Sequence, residues 1–148
     1  MYDARVLRQL LVGSLMVSAS IAVEAAFIGL AVVTLGRLGG RLASGRRVVK
    51  QILTLIVMTL WLLVALGVAV WMWAVAFMML GLFETLEAAL YFSAVAFTTL
   101  GFGDVTLDAE WRLLSGFIAA NGLVLFSLAT AFLIELMRRL GDPRPNGG

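Results

Sequence analysis

Thr98-Thr99-Leu100-Gly101-Phe102-Gly103-Asp104 is the stretch of this chain whose residue types and spacing can do chemistry. Two hydroxyls precede a Gly-x-Gly pair, and a carboxylate follows it. Glycine enters backbone regions that a β-carbon forbids. A strand alternating between such regions turns successive carbonyls to one side. Four such strands around an axis would stack cages of neutral oxygens, which replace a cation's water shell without trapping the ion as carboxylates do. One strand cannot surround an ion, and the chain holds a single such segment with no internal repeat. Four copies on a cyclic four-fold axis are therefore expected.

Other chemistry is thinly provided for. The sequence has no cysteine and no histidine. That removes disulfides, thiol catalysis and the zinc sites that depend on those ligands. Neither Ser-x-x-Lys nor Gly-x-Ser-x-Gly is present, so the usual hydroxyl nucleophiles have no setting. No enzyme, no resident cofactor and no nucleic-acid partner is expected. The 148 residues are 62% hydrophobic and 14% charged, against about 45–50% and about 25% in soluble domains. A core of this size cannot hide so much apolar surface, which leaves a membrane protein.

The segment must be held by what flanks it. Three stretches are long enough to cross a bilayer: roughly 9–35, 48–80 and 111–137. Crossing takes about 20 apolar residues. Between the last two lies a shorter run, 84–98, whose helical length of about 20 Å cannot span. It would dip in and return, tolerable only where the irregular backbone beyond it is buried in protein or lines a watery cavity. The first stretch also admits a signal-peptide reading, with Arg5 and Arg8 in front. Its length and the internal Glu24 favour a retained helix.

Charge sets the expected orientation. Arg37, Arg41, Arg46, Arg47 and Lys50 crowd one loop without an acid, and Arg138, Arg139 and Arg144 follow the third span. The 81–112 region instead carries Glu84, Glu87, Asp104, Asp108 and Glu110 against Arg112. Positive loops stay cytoplasmic. Loop 36–50 and the C-terminus are then inside a multi-pass plasma-membrane protein, and the Gly-x-Gly mouth is outside. The N-terminus must also lie outside, against the sign of Arg5 and Arg8. Trp71, Trp73 and Trp111 fall near the outer boundary, where interfacial aromatics gather.

The Thr98–Asp104 segment resembles the selectivity filter of the potassium channel superfamily, T-x-G-[YF]-G-D, and 48–137 resembles its small two-transmembrane pore-loop members. The resemblance implies an all-α membrane fold: three transmembrane helices, one of them additional and N-terminal, with a re-entrant pore helix and filter, assembled as a homotetramer. It divides the chain into 1–47 (first helix and basic loop), 48–137 (pore domain) and 138–148 (short tail). By the same resemblance K⁺ would bind carbonyls of Thr99, Leu100, Gly101 and Phe102 with the Thr99 hydroxyl, and Gly103 would complete the filter. Thr98 would close the pore helix, and Asp104 would concentrate cations at the outer mouth. Leu100 stands where Val or Ile is usual, and Phe102 where Tyr is usual. The family often has an acid at the place of Val95, so Asp104 needs another partner or water. Tyr91 and Phe92 would form an aromatic cuff, and Glu84 and Glu87 would suit the positive end of the pore helix.

The run Asn121-Gly122-Leu123-Val124-Leu125-Phe126-Ser127-Leu128-Ala129-Thr130-Ala131 resembles an inner helix of these channels. Gly122 is either the bend of that helix or a close-packing residue. Leu123, Phe126, Thr130, Ala131 and Ile134 recur at three- and four-residue spacing and are assigned to cavity and gate. Glu135 would form a ring of carboxylates, or pair with Arg138 or Arg139. Glu24 is costly at mid-membrane depth. It is either a neutral structural group bonded to Ser20 or a titrating group that couples pH to gating. The basic loop Arg37–Lys50 is a topology signal that would also attract anionic lipid. No arginine-every-third helix is present, so voltage sensing of the usual kind is not expected. The function expected is passive, K⁺-selective conduction. Its rivals are a less selective cation channel and a non-conducting accessory subunit. A K⁺ transporter would need four filter-like loops.

Overall fold

The computed structural model describes residues 2–38 and 47–141. They form four helices: α1 (Tyr2–Leu38), α2 (Arg47–Met79), α3 (Leu86–Phe97) and α4 (Leu113–Gly141). α1, α2 and α4 are each long and apolar enough to cross a membrane, and α3 is a shorter apolar helix. α4 runs on to Gly141, past the expected end at Met137. Most of the basic loop, and the tail from 142 onward, lie outside the described residues.

The ends of these helices follow from local chemistry. α2 closes in a Schellman turn: the Leu82 amide donates to Phe77 O and the Gly81 amide to Met78 O, each at 3.0 Å. Gly81 sits at φ 69°, a left-handed value that glycine adopts without a β-carbon penalty. α3 starts at Leu86 rather than 84, because Thr85 is its N-cap and accepts from the Ala88 amide at 3.2 Å. That bond satisfies one of the four orphan donors of the first turn. Glu87 therefore lies in the first turn, and Glu84 lies before the cap. The amide of Leu113, which opens α4, donates to Gln9 Oε1 at 3.0 Å, so a side chain of α1 caps another helix.

α1 and α4 run in the same direction. Gln9 meets Leu113, Gly13 lies against the Phe117 ring, and Ser20 bonds Asn121. α2 runs the other way against α1, with Trp61 Nε1 donating to Phe27 O at 3.0 Å and the two rings 5.0 Å apart. The N-terminus of α1 thus shares an end of the bundle with the 98–112 loop. There Arg5 meets Glu110 at 2.6 Å, and the Arg8 guanidinium lies 4.2 Å from the Trp111 ring centroid. The two arginines that opposed an N-terminus at this end are therefore matched by an acid and an aromatic face. Trp73 is fully buried and Trp111 nearly so. Of the three tryptophans expected at the interface, only Trp71 is exposed.

The main core surrounds α3. Phe77, Phe83 and Phe92 stack edge and face at 5.4–6.1 Å, and Trp73 joins Phe77 at 5.6 Å. Leu114, Ile118 and Leu125 of α4 close the cluster from the other side. A smaller cluster at the opposite end joins Ala31, Met58 and Leu136, and there the Gln51 amide nitrogen donates to Leu140 O. The outward face of α2, including Ile52, Ile56, Leu60 and Leu63, is exposed and apolar. A surface of that kind suits lipid.

Candidate functional site

The site begins where α3 ends. The Leu100 amide donates to Val95 O at 3.0 Å and the Thr99 amide to Ala96 O at 3.0 Å. This is the same Schellman pattern that closes α2, but the left-handed residue is Thr99, at φ 61°. A non-glycine residue there costs about 1–2 kcal/mol. Gly101 and Gly103 follow at φ 57° and 79°. Positive φ thus recurs at every second residue from 99 to 103, and the residues between, Leu100 and Phe102, lack it. That alternation of backbone regions is the pattern the sequence reading expects of this segment.

Thr98 caps the helix, its hydroxyl donating to Ala94 O at 2.8 Å. The segment after it is bare. Residues 98–104 are exposed, with Leu100 at 61% and Phe102 at 66%. No described residue of the single chain covers them.

Asp104 has a partner, and it is not at position 95. The Tyr91 hydroxyl donates to Asp104 Oδ2 at 2.7 Å. That bond, aided by backbone donors, holds the Asp104 carboxyl below its ordinary range. The same hydrogen bond raises Tyr91. The cuff expected of Tyr91 and Phe92 is thus divided. Tyr91 is exposed and bonds Asp104, while Phe92 is buried in the aromatic core.

Gly122 is a close-packing residue. A β-carbon there would lie 1.9 Å from Phe97 O. The end of α3 therefore rests directly on the α4 backbone, and the Phe97 and Phe126 rings meet beside it at 5.6 Å. Leu123, Phe126, Thr130, Ala131 and Ile134 share an exposed face of α4. Glu135 is exposed, and its carboxylate accepts from Arg139 Nε at 2.7 Å.

Ser20 does not bond Glu24. Its hydroxyl donates to Met16 O and accepts from Asn121 Nδ2 at 2.7 Å. Both Glu24 oxygens are buried without a hydrogen-bond partner. One clue to the Asn121 contact is visible in the sequence: it is the amide in an otherwise apolar stretch of α4. Its partner, 101 residues away, carried no signal.

Residues 63–139 match the family model described as "Ion channel". The chain belongs to the ion channel family. The matched region takes in the second half of α2, α3, the 98–112 loop and nearly all of α4. This is the pore-loop core that the sequence resembles, and α1 lies outside it as an additional N-terminal helix. Comparisons with curated proteins and with solved structures give no match. Among the described residues no cluster of acids could hold a metal ion by side chains.

Proposed function

We propose that the protein is a K⁺-selective channel subunit whose filter is Thr99-Leu100-Gly101-Phe102-Gly103, completed by four copies around one axis. The observation that carries the reading is the recurrence of positive φ at Thr99, Gly101 and Gly103, directly beyond a short helix set between two spans. K⁺ binds the carbonyls from Thr99 to Phe102 and the Thr99 hydroxyl. Neutral dipoles at several adjacent sites exchange ions quickly while replacing the hydration shell. The C-terminal end of α3 turns its partial negative charge toward the cavity. Asp104, kept ionised by Tyr91, concentrates cations at the mouth. Leu123, Phe126, Thr130, Ala131 and Ile134 line the cavity and gate, and Glu135 stands at its inner end.

The exposed filter and the bare α4 face support an oligomer, since each is apolar or unpaired surface that a lone protomer leaves uncovered. The basic loop and the α4 end face the cytoplasm of a plasma membrane, the loop contacting anionic lipid and the filter mouth facing outward. Purified protein in liposomes tests the reading. Bi-ionic reversal potentials should favour K⁺ strongly over Na⁺, and density should show four-fold symmetry with axial ions. Equal permeability would move the protein to a less selective cation channel, and absent flux to an accessory role.

A further inference from the structure

We infer that α1, which lies outside the family match, sets the seat of the pore helix, and that Ser20 and Asn121 are its positioning residues for ion selection. The inference rests on the filter reading of residues 99–103. Ser20 and Asn121 are both fully buried, and the bond between them joins α1 to α4. The next residue of α4 is Gly122, whose bare Cα receives the carbonyl of Phe97. Phe97 is the last residue of α3, and Thr98 and Thr99 follow at once. An unbroken series of contacts therefore leads from α1 through one turn of α4 to the first filter residue.

The series is stiff at each step. Adjacent residues of a helix point about 100° apart, the angle of 3.6 residues per turn. Asn121 thus faces α1 while Gly122 faces α3, so α4 is held from both sides at one level. The clearance at Gly122 leaves no room for a methyl group, so α4 cannot shift there without moving Phe97 O. Two further contacts fix the register of α1 on α4. Gln9 Oε1 caps the Leu113 amide. Gly13 admits the Phe117 ring so closely that an added β-carbon would fall 2.5 Å from it. Close-packed interiors transmit such displacements rather than absorb them. Losing the Ser20 bond frees α4 to move away from the pore-helix end, and the spacing of the filter oxygens follows.

The test measures the Na⁺/K⁺ permeability ratio of the full-length assembly in liposomes. The variants are Ser20→Ala, Asn121→Leu, both together, and the exchange Ser20→Asn with Asn121→Ser. The expected result is a several-fold rise in the ratio for either single variant. The double variant should show no further rise, and the exchange should return the ratio toward wild type, with the oligomer retained throughout. Single variants with the wild-type ratio overturn the inference, as do single effects that simply multiply in the double. Where Asn121→Leu fails to assemble, Ser20→Ala decides alone, because it removes only one hydroxyl. A wild-type assembly that passes Na⁺ and K⁺ alike overturns the filter reading, and the positioning role with it. That failure appears before any substitution is made.

Discussion

α2 and α3 end in the same backbone turn, and they build it from different residues. Both close with paired amide bonds to carbonyls three and five residues back, and both place the donor of the shorter bond in the left-handed region. At the end of α2 that residue is Gly81, the inexpensive choice. At the end of α3 it is Thr99, which bears strain that a glycine would avoid. A chain that can use glycine and does not is keeping a side chain for another purpose. Strain stored at one residue and absent from its structural twin points to a site. At Thr99 the retained group is a hydroxyl at the start of the proposed filter.

The largest effect should come from the seat under the strained turn. Gly122→Ala puts a methyl group into the Phe97 carbonyl. The obstacle is backbone at a helix end, so no rotamer change relieves it. K⁺ flux should be lost, and fewer channels should assemble. Normal flux from Gly122→Ala would show that the α3 end does not need this seat. Next comes Thr99→Gly, which relieves the turn and removes the hydroxyl. Thermal stability is expected to hold or rise while K⁺ selectivity falls. Opposite movement of the two readouts is the mark of a strained functional residue. A parallel fall in both would make Thr99 an ordinary structural threonine.

Tyr91→Phe should act more gently, through pH. The Tyr91 hydroxyl donates to Asp104 and holds its carboxyl below the usual range. A depressed folded-state value means that the ionised form, and the support it gives, is present at neutral pH. It is lost as pH falls through that lowered value. Without the hydroxyl the value returns toward an ordinary carboxylate. The acid-side loss of conductance should therefore begin at higher pH in Tyr91→Phe than in wild type. Superimposable pH profiles would mean that this brace has no part in conduction.

Much of this architecture was legible in the sequence, for identifiable reasons. Long apolar runs give spans and a short one gives α3, because the bilayer fixes the length an element needs. The Gly-x-Gly pair marked the two later positive-φ positions. Thr99 was not legible as the first, since nothing in its type announces a left-handed backbone. The sequence admits Gly122 as bend or packing residue, and its packing against Phe97 O is visible only as a contact between separate helices. Arg5 and Arg8 run against the charge rule because that rule counts residues, while Glu110 and Trp111 match them only in three dimensions. Glu24 and Ser20 sit one turn apart as expected, yet Ser20 turns to Asn121. Local spacing proposes partners, and packing of the neighbouring helix selects among them.

The smallest effect belongs to the unstrained twin. Gly81→Ala meets no atom within 4 Å of the added β-carbon, so its cost is conformational alone. The left-handed penalty is about 1–2 kcal/mol, and the reduced freedom of the unfolded chain returns about 0.4–1 kcal/mol. The net loss should be on the order of 1 kcal/mol, a shift of about 2–4 °C in the thermal midpoint for a chain of this size. Permeability ratios should not move, because Leu80, Leu82 and Phe83 beside this turn pack into the aromatic core around Phe77 and Phe92. Gly81→Ala thus measures the price of this turn where nothing else depends on it. Thr99→Gly measures the same turn in reverse where the hydroxyl is at stake. If the two substitutions change stability by similar amounts of opposite sign while only the second alters selectivity, backbone strain and ion selection separate cleanly at one residue. A change in selectivity from Gly81→Ala would instead show that the α2 end is mechanically coupled to the filter, and the two turns would no longer differ in kind.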